Sequence, residues 1–403
     1  MRSFLMDLRH SARMLFKHPM LTVTCVVTIS LGIGLTTTMF SVINGSIWEQ
    51  LPYDDADRLM IIARTNLTQS QSRMGVSIHD FEDWRSRQTT FEDITAWYGG
   101  TINLNNEGET PIRYQGAFIV PSAFDLIGVP PLMGRVFTDE ERLPEAASVI
   151  VLSYRVWQAR FGGDPEILGS TVRVNGLPTT VIGVMPEGYA FPNQEDVWVP
   201  QKQDPSQIER NGGVLLQVVG KLKEGVSQAQ AQAEFSVIAA ALAEEYPETN
   251  EDIGARVMGY DEAIMDTEDR TILYLMLAGM FAVLLIACFN VANLLLSRAV
   301  IRSKEMAVRS SLGATRRALV GQMLLEALAF AVVGGALGLL LGHIGISIFD
   351  RAAASTEPPW WFDFSIDGTV ALFVLLLVVL SAVVSGILPA LQSSSTGVTE
   401  ILK

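Results

Sequence analysis

The sequence predicts an α+β membrane protein with four transmembrane helices and a large mixed α/β extracytoplasmic domain inserted between helices 1 and 2. Three observations carry that expectation. Four long apolar stretches carry almost no charge, and each exceeds the roughly 20 residues needed to cross a bilayer. Residues 49–270, between the first and second of them, alternate short β-rich runs with helical ones. Charge is divided between the parts. Residues 47–270 hold 17 basic and 35 acidic side chains, a balance of −18, whereas residues 1–19 stand at +3 and residues 298–317 at +5. Lys and Arg beside a span resist translocation, so the basic segments belong on the cytoplasmic side and the acidic domain outside.

Composition agrees with this division. Of 403 residues, 49% are hydrophobic and only 18% charged, and the mean hydropathy is +0.30. That describes a membrane protein with a substantial polar part. An acidic outer domain argues against a nucleic-acid partner. The two cysteines, Cys25 and Cys288, both lie in apolar spans, so the outer domain folds without disulfides.

In chain order, residues 2–18 place Phe4, Leu5, Leu8, Leu15 and Phe16 at helical spacing, with Arg9, Arg13 and Lys17 repeating every four residues. This is an amphipathic helix lying on lipid at the inner membrane surface. Met20 to Trp48 has no charge and is far longer than the apolar core of a signal peptide. It is a retained span, and Ser30, Gly34 and Thr38, four apart, give it a face for close helix packing.

Within the outer domain, strand-like runs occur at 59–63, 114–120, 148–152, 171–174, 179–184, 215–222 and 256–258. Helical runs are 77–87, 153–161 and 227–246, with Ser77 and Ser153 as caps. Val174-Asn175-Gly176-Leu177 signals a tight hairpin. Prolines at 121, 130, 131, 186 and 192 suggest two lobes, one inserted into the other.

The second span, 271–297, contains Asn290 and Asn293. An amide at membrane depth needs a partner, so both are expected to face another helix. The third, 318–349, holds Gly334, Gly338 and Gly342, two overlapping GxxxG units that allow a neighbouring backbone to approach closely. Residues 350–367 form an outer loop in which Pro358-Pro359-Trp360-Trp361 is expected at the membrane interface. The fourth span is 369–391, with Pro389 beginning its exit and both chain ends in the cytoplasm.

The stretch 298–326 carries six of the 29 basic residues and only Glu305 as an acid before Glu326. Glu305 and Arg309 are spaced for a surface ion pair, and Gly313 suits a helix end. A short cytoplasmic helix joined to the third span results. The pattern Arg302-x-x-Glu305-x-Ala307-Val308-Arg309-x-x-Leu312-Gly313-Ala314-x-Arg316, followed by Gln322 and Glu326, resembles the signature loop of MacB/FtsX-type ABC permeases. The outer region is similar to that family as well, in Ser153-Tyr154-x-x-Trp157-x-x-x-Phe161, Gly169-x-x-Val172-x-Val174-Asn175-Gly176, Val181 to Pro186, Phe191-Pro192 and Trp198-x-Pro200, and so is Gly32-x-Gly34.

The resemblance implies the transmembrane subunit of an ABC transporter in the bacterial inner membrane. Its short cytoplasmic helix would dock on a partner ABC ATPase through Arg302, Glu305, Met306, Val308, Arg309, Leu312, Gly313, Ala314 and Arg316. It further implies a second permease copy and an extracytoplasmic adaptor as partners, and mechanotransmission as the mode of work. The domain plan that follows is 1–19 amphipathic helix, 20–48 first span, 49–270 MacB-like core domain, and 271–403 FtsX-like domain with the coupling loop at 298–317.

The chain has no GxxxxGK[ST] phosphate loop, so ATP would be bound by a separate subunit and this chain holds no cofactor. That departs from MacB, which carries its ATPase in the same polypeptide. His79, Asp80 and Asp83 are better explained as acids at a helix N-terminus than as a metal site. No nucleophile–base pair stands at a recognisable spacing, so the chain is not expected to be an enzyme. Two other readings remain: an ABC-type regulator of a cell-wall hydrolase or peptide-sensing complex that transports nothing, and a membrane-anchored binding module independent of any ATPase. Leu388-Pro389-Ala390-Leu391 near the end also resembles the point where duplicated permeases enter a second copy.

Overall fold

The computed structural model describes residues 19–48, 51–53, 55–106, 108–301, 316–356 and 358–395. In chain order, α1 (Pro19–Ile43) and a π-helical turn (Asn44–Trp48) are followed by β1 (Leu59–Asn66) and β2 (Gln71–Met74). Next come α2 (Ile78–Arg87), β3 (Phe91–Asn105), β4 (Ile112–Ile119), α3 (Ser122–Ile127), β5 (Met133–Gly134) and β6 (Val149–Leu152). Then α4 (Tyr154–Phe161), β7 (Thr171–Val174), β8 (Leu177–Val184), β9 (Val197–Pro200), β10 (Gln217–Leu222) and α5 (Gln228–Glu245). Finally α6 (Pro247–Asn250), β11 (Ile253–Gly259), α7 (Tyr260–Ile264), α8 (Thr267–Ile301), α9 (Arg316–Ala353) and α10 (Gly368–Ser395). Two compact units result, one of Gln50–Asp266 with Pro358–Trp361, the other holding the four long helices.

In the α/β unit, nine strands run in the order β11-β1-β10-β3-β4-β9-β6-β8-β5, with β2 on β1 and β7 joining β3 to β8. The caps hold its helices in place. Ser77, Ser153 and Ser227 accept from the backbone N–H of Asp80, Val156 and Gln230. Asn175 (φ 50°) and Gly176 (φ 86°) turn the β7–β8 hairpin through the left-handed region, where Asn and Gly carry the least strain.

The sheet serves two cores. Phe81 and Trp84 of α2 and Phe235 and Leu242 of α5 pack with Ile62, Ile94 and Val218, with Phe235 edge-on to both Trp84 and Phe91. Ile102, Leu104, Ile150, Leu152, Val172 and Val181 form the second. β3, 15 residues long, contributes to both. Around the second core the strands close on themselves. β3 pairs β4, β4 pairs β9, β9 pairs β6, β6 pairs β8, β8 pairs β7, and β7 returns to β3 at Leu104↔Val174. This is a six-stranded ring whose interior is filled by branched side chains, as small barrels are.

In the helical unit, α1, α8, α9 and α10 are all long and apolar enough to cross a membrane. Cys25, Ile29 and Ile33 of α1, Leu284 and Cys288 of α8, Ala331 of α9 and Leu377 of α10 meet in one core. Pro389 does not end the last helix, which runs on to Ser395.

Candidate functional site

The coupling residues expected at Arg302, Glu305, Met306, Val308, Arg309, Leu312, Gly313 and Ala314 lie outside the described residues, as does the amphipathic segment 1–18. The structure places Arg316 at the first position of α9, directly after that loop.

The small residues meet one another. A Cβ on Gly338 would lie 2.8 Å from Ile33 Cγ2 and 3.2 Å from Ser30 O. One on Gly34 would lie 3.1 Å from Gly338 O, one on Gly334 2.8 Å from Ile29, and one on Gly342 3.1 Å from Thr37. The glycine stripe of α9 therefore runs along α1, backbone nearly on backbone. Thr38 Oγ1 donates to Gly34 O at 2.9 Å and reaches Gly342 O at 3.4 Å. Ser30 turns its hydroxyl back to Val27 O within its own helix. Three further close approaches lie outside the four-residue spacings: Gly32 against Leu284, Gly335 against Val378, and Gly345 against Thr38.

Asn290 and Asn293 are placed differently from the expectation that they face another helix. Both lie on the exposed side of α8, whose buried side carries Leu284, Ala287, Cys288, Val291 and Ala292. Helical spacing puts the amides with Ile286 and Phe289 on the face turned away from the other three helices. Among the described residues neither amide has a side-chain partner within this chain.

The second correction concerns Pro358–Trp361, which belongs to the α/β unit. Trp361 is buried, 5.8 Å from the ring of Tyr260, and Trp360 lies 6.1 Å from Tyr53. Trp360 N–H donates to Asn193 O at 3.2 Å, and Gln194 donates to Pro358 O. Tyr260 O–H donates to Pro192 O at 3.0 Å, and Phe191 packs between Tyr53, Trp97 and Tyr260. Burial pushes the Tyr53 and Tyr260 hydroxyls well above the ordinary phenol range, so both stay neutral. Three chain segments meet in this aromatic cluster: the one after α1, the one before α8, and the one between α9 and α10.

Asp80 is engaged by two guanidinium groups and an amide. Its carboxylate lies 3.1 Å from Arg64 Nε and 3.1 Å from Arg210, and accepts from Asn250 at 2.9 Å. Arg64 and Asp80 are 4% and 1% exposed. Arg64 Nη1 donates to Asn211, and Arg210 lies 3.6 Å over the Tyr246 ring. His79 Nε2 sits 3.0 Å from Pro205 O. No group of three or more candidate metal ligands occurs among the described residues.

A family model for the MacB-like periplasmic core domain matches residues 22–238, and one for the FtsX-like permease C-terminal region matches residues 277–398. The chain belongs to the MacB/FtsX permease family. This MacB/FtsX permease is 25% identical over 357 residues to the macrolide export ATP-binding/permease protein MacB of Neisseria meningitidis, covering 86% of this chain and 54% of that protein. It is also 25% identical over 284 residues to the probable export ATP-binding/permease protein MacB of Pseudomonas entomophila, covering 69% and 40%. The chain spans about half the length of the curated relatives it matches. Among solved structures, the periplasmic region of MacB from Actinobacillus actinomycetemcomitans aligns at TM-score 0.39 and 21% identity, covering 57% of this permease and 95% of that chain. A domain of a putative permease from Porphyromonas gingivalis aligns at 0.42 and 16%, covering 52% and 93%.

Proposed function

We propose that this permease is the transmembrane subunit of an ABC transporter of the bacterial inner membrane, working by mechanotransmission. A partner ATPase docks on the loop 302–316, and its ATP-driven motion is carried to the α/β unit outside, exporting or extracting a substrate. The observation that carries the mechanical part is helix length. α8 is 35 residues without interruption, about 52 Å at 1.5 Å per residue, against a hydrocarbon core of about 30 Å. A span that needs only to cross is shorter; one that outreaches the bilayer by several turns is a rod. The covalent path supports the same reading. Tyr260 stands seven residues before α8, and Trp361 seven before α10, and both belong to one aromatic cluster.

Asn290 and Asn293 support a second copy as partner. Two amides facing lipid would be unsatisfied in hydrocarbon, and an identical helix supplies donors and acceptors in kind. The working unit is then a dimer, or two such halves in one longer chain, with an extracytoplasmic adaptor on the α/β unit.

The test is co-purification with candidate ABC ATPases, comparing the wild type with Glu305→Arg and Gly313→Pro. Retention by the wild type and loss in both variants supports the docking loop. If no ATPase is retained, or both variants hold it as well as the wild type, the transporter reading fails and the binding-module reading takes its place.

A further inference from the structure

The packed ring of strands in the α/β unit opens at one mouth, where its last core residues, Val174 and Val199, are reached from outside. A cavity of about 330 Å3 opens there, within the roughly 300–1,000 Å3 of small-molecule sites, which favour the mouths of β-barrels. All six strands line it: Tyr98 from β3, Phe118 from β4, Val149 from β6, Val174 from β7, Thr179 from β8 and Val199 from β9. Tyr98 and Phe118 lie face to face, centroids 4.5 Å apart and 6° from parallel. Gly100 makes room for the second ring, since a Cβ there would stand 3.2 Å from Phe118.

The charge of the lining is opposite to that of the domain. Residues 47–270 carry a balance of −18, yet Lys202 is the one charged side chain among the described residues around the cavity. Its ammonium donates to Ala146 O at 2.7 Å, one of the three bonds such a group makes. Glu141, an acid that feels the Lys202 charge, is itself held by both guanidinium nitrogens of Arg135, at 3.1 and 2.7 Å. Among the described residues Lys202 forms no salt bridge with a carboxylate. At the same rim the Thr179 hydroxyl is turned to Leu177 O and the Asn175 Oδ1 accepts from Asn103 N–H, which leaves the Asn175 NH2 as the amide donor.

We propose that this mouth is a binding site for a small apolar anion, an aromatic or branched hydrocarbon body bearing one carboxylate or sulfonate. The body lies against Phe118 and the valines, and the anionic group meets Lys202. Cations are excluded by Lys202, and polar solutes by the aliphatic wall. This site is independent of the ATPase reading, because it needs neither nucleotide nor partner.

The test titrates the full chain, purified in a non-ionic detergent with no ATPase or ATP, by calorimetry. The probes are 2-naphthalenesulfonate, neutral 2-naphthalenemethanol and 2-naphthylmethylammonium. The expected result is one saturable site for the sulfonate and at least tenfold weaker binding of the ammonium. Lys202→Met should weaken the sulfonate about tenfold and leave the neutral probe unchanged, while Lys202→Arg keeps it. Leu177→Asp, at an exposed rim position that tolerates substitution, should also weaken the sulfonate. Heat that never saturates, equal heat in all variants, or an ammonium bound as tightly as the sulfonate overturns the proposal.

Discussion

Gly338 of α9 lies against Ile33 of α1 so closely that a Cβ on the glycine would stand 2.8 Å from Ile33 Cγ2 and 2.9 Å from its Cβ, with Ser30 O at 3.2 Å. A branched Cβ and a carbonyl cannot swing aside as the end of a flexible chain does. Gly338→Val must therefore push the helices apart, at about 1–3 kcal/mol of overpacking. Gly321→Ala on the same helix meets nothing within 4 Å and should be neutral or slightly stabilising. Thermal unfolding in detergent checks the pair: a lower midpoint for Gly338→Val alone is expected. Equal midpoints would remove the close contact.

A buried charge gives a larger effect. Asp80 is 1% exposed and Arg64 4%, 3.1 Å apart but poorly aligned for a hydrogen bond, so their attraction is mainly coulombic. Burial holds the Arg64 guanidinium below its ordinary pKa and Asp80 acts against that. Asp80→Ala leaves the cation buried beside Arg210 and should cost about 3–5 kcal/mol. Glu262→Gln, breaking the exposed 2.9 Å pair with Arg256, should cost about 0–1 kcal/mol. Urea unfolding followed by near-UV dichroism separates the two; similar midpoints would mean the Asp80 network carries little.

Both features show what a sequence exposes. Gly334, Gly338 and Gly342 announced close packing by their spacing, yet nothing in that spacing named α1 as the neighbour. The 174–177 hairpin and the serine caps were legible because turn and cap chemistry is local. β3 was not, since Gly99-Gly100 and two asparagines mask a strand in which Gly100 makes room for Phe118. Asp80 looked like a helix-end acid because Arg210 lies 130 residues away. For Asn290 and Asn293 the rule that amides need partners pointed to a neighbouring helix, whereas the structure places both on the exposed face of α8. Trp360 and Trp361 fit an interfacial belt equally well until Tyr53 and Tyr260 are placed beside them.

Acid sensitivity follows from Glu234. Burial raises its pKa, but hydrogen bonds from the hydroxyls and backbone N–H groups of Thr89 and Thr90 outweigh this and hold it below the ordinary carboxylate range. A lowered native pKa means the stabilisation is complete above the unfolded value, about 4.3, and is lost as pH falls through the native one. Glu234→Gln should cost about 1 kcal/mol at pH 7 after solvent screening. The wild-type advantage should shrink in melts below about pH 4. A difference that stays constant from pH 7 to 3 would count against it.

If Asn290 and Asn293 meet a second copy, replacing both with Leu should weaken self-association while leaving the fold of each chain intact. Interhelical amide bonds contribute about 0.6–2 kcal/mol each, so the double variant should dissociate about tenfold to nearly a thousandfold more readily. Dilution in micelles with a fluorescent pair reports this. Unchanged association would place the dimer contact elsewhere.

The aromatic cluster makes the last prediction. Trp361 is 9% exposed and packs on Tyr260, which is 3% exposed. Trp361→Ala empties that position at about 3–5 kcal/mol. The loss should be local first, because residues 354–367 connect two long helices and hold to the α/β unit through Trp360 N–H, Pro358 O and the two indoles. Limited proteolysis should then cut between α9 and α10 at protease levels that leave the wild type whole. Trp361→Phe keeps a ring against Tyr260 and should restore protection. In a reconstituted complex, mechanotransmission predicts that Trp361→Ala keeps ATP hydrolysis but loses its coupling to transport, with Trp361→Phe intermediate. Equal loss of both activities would instead mean that the substitution unfolds the subunit.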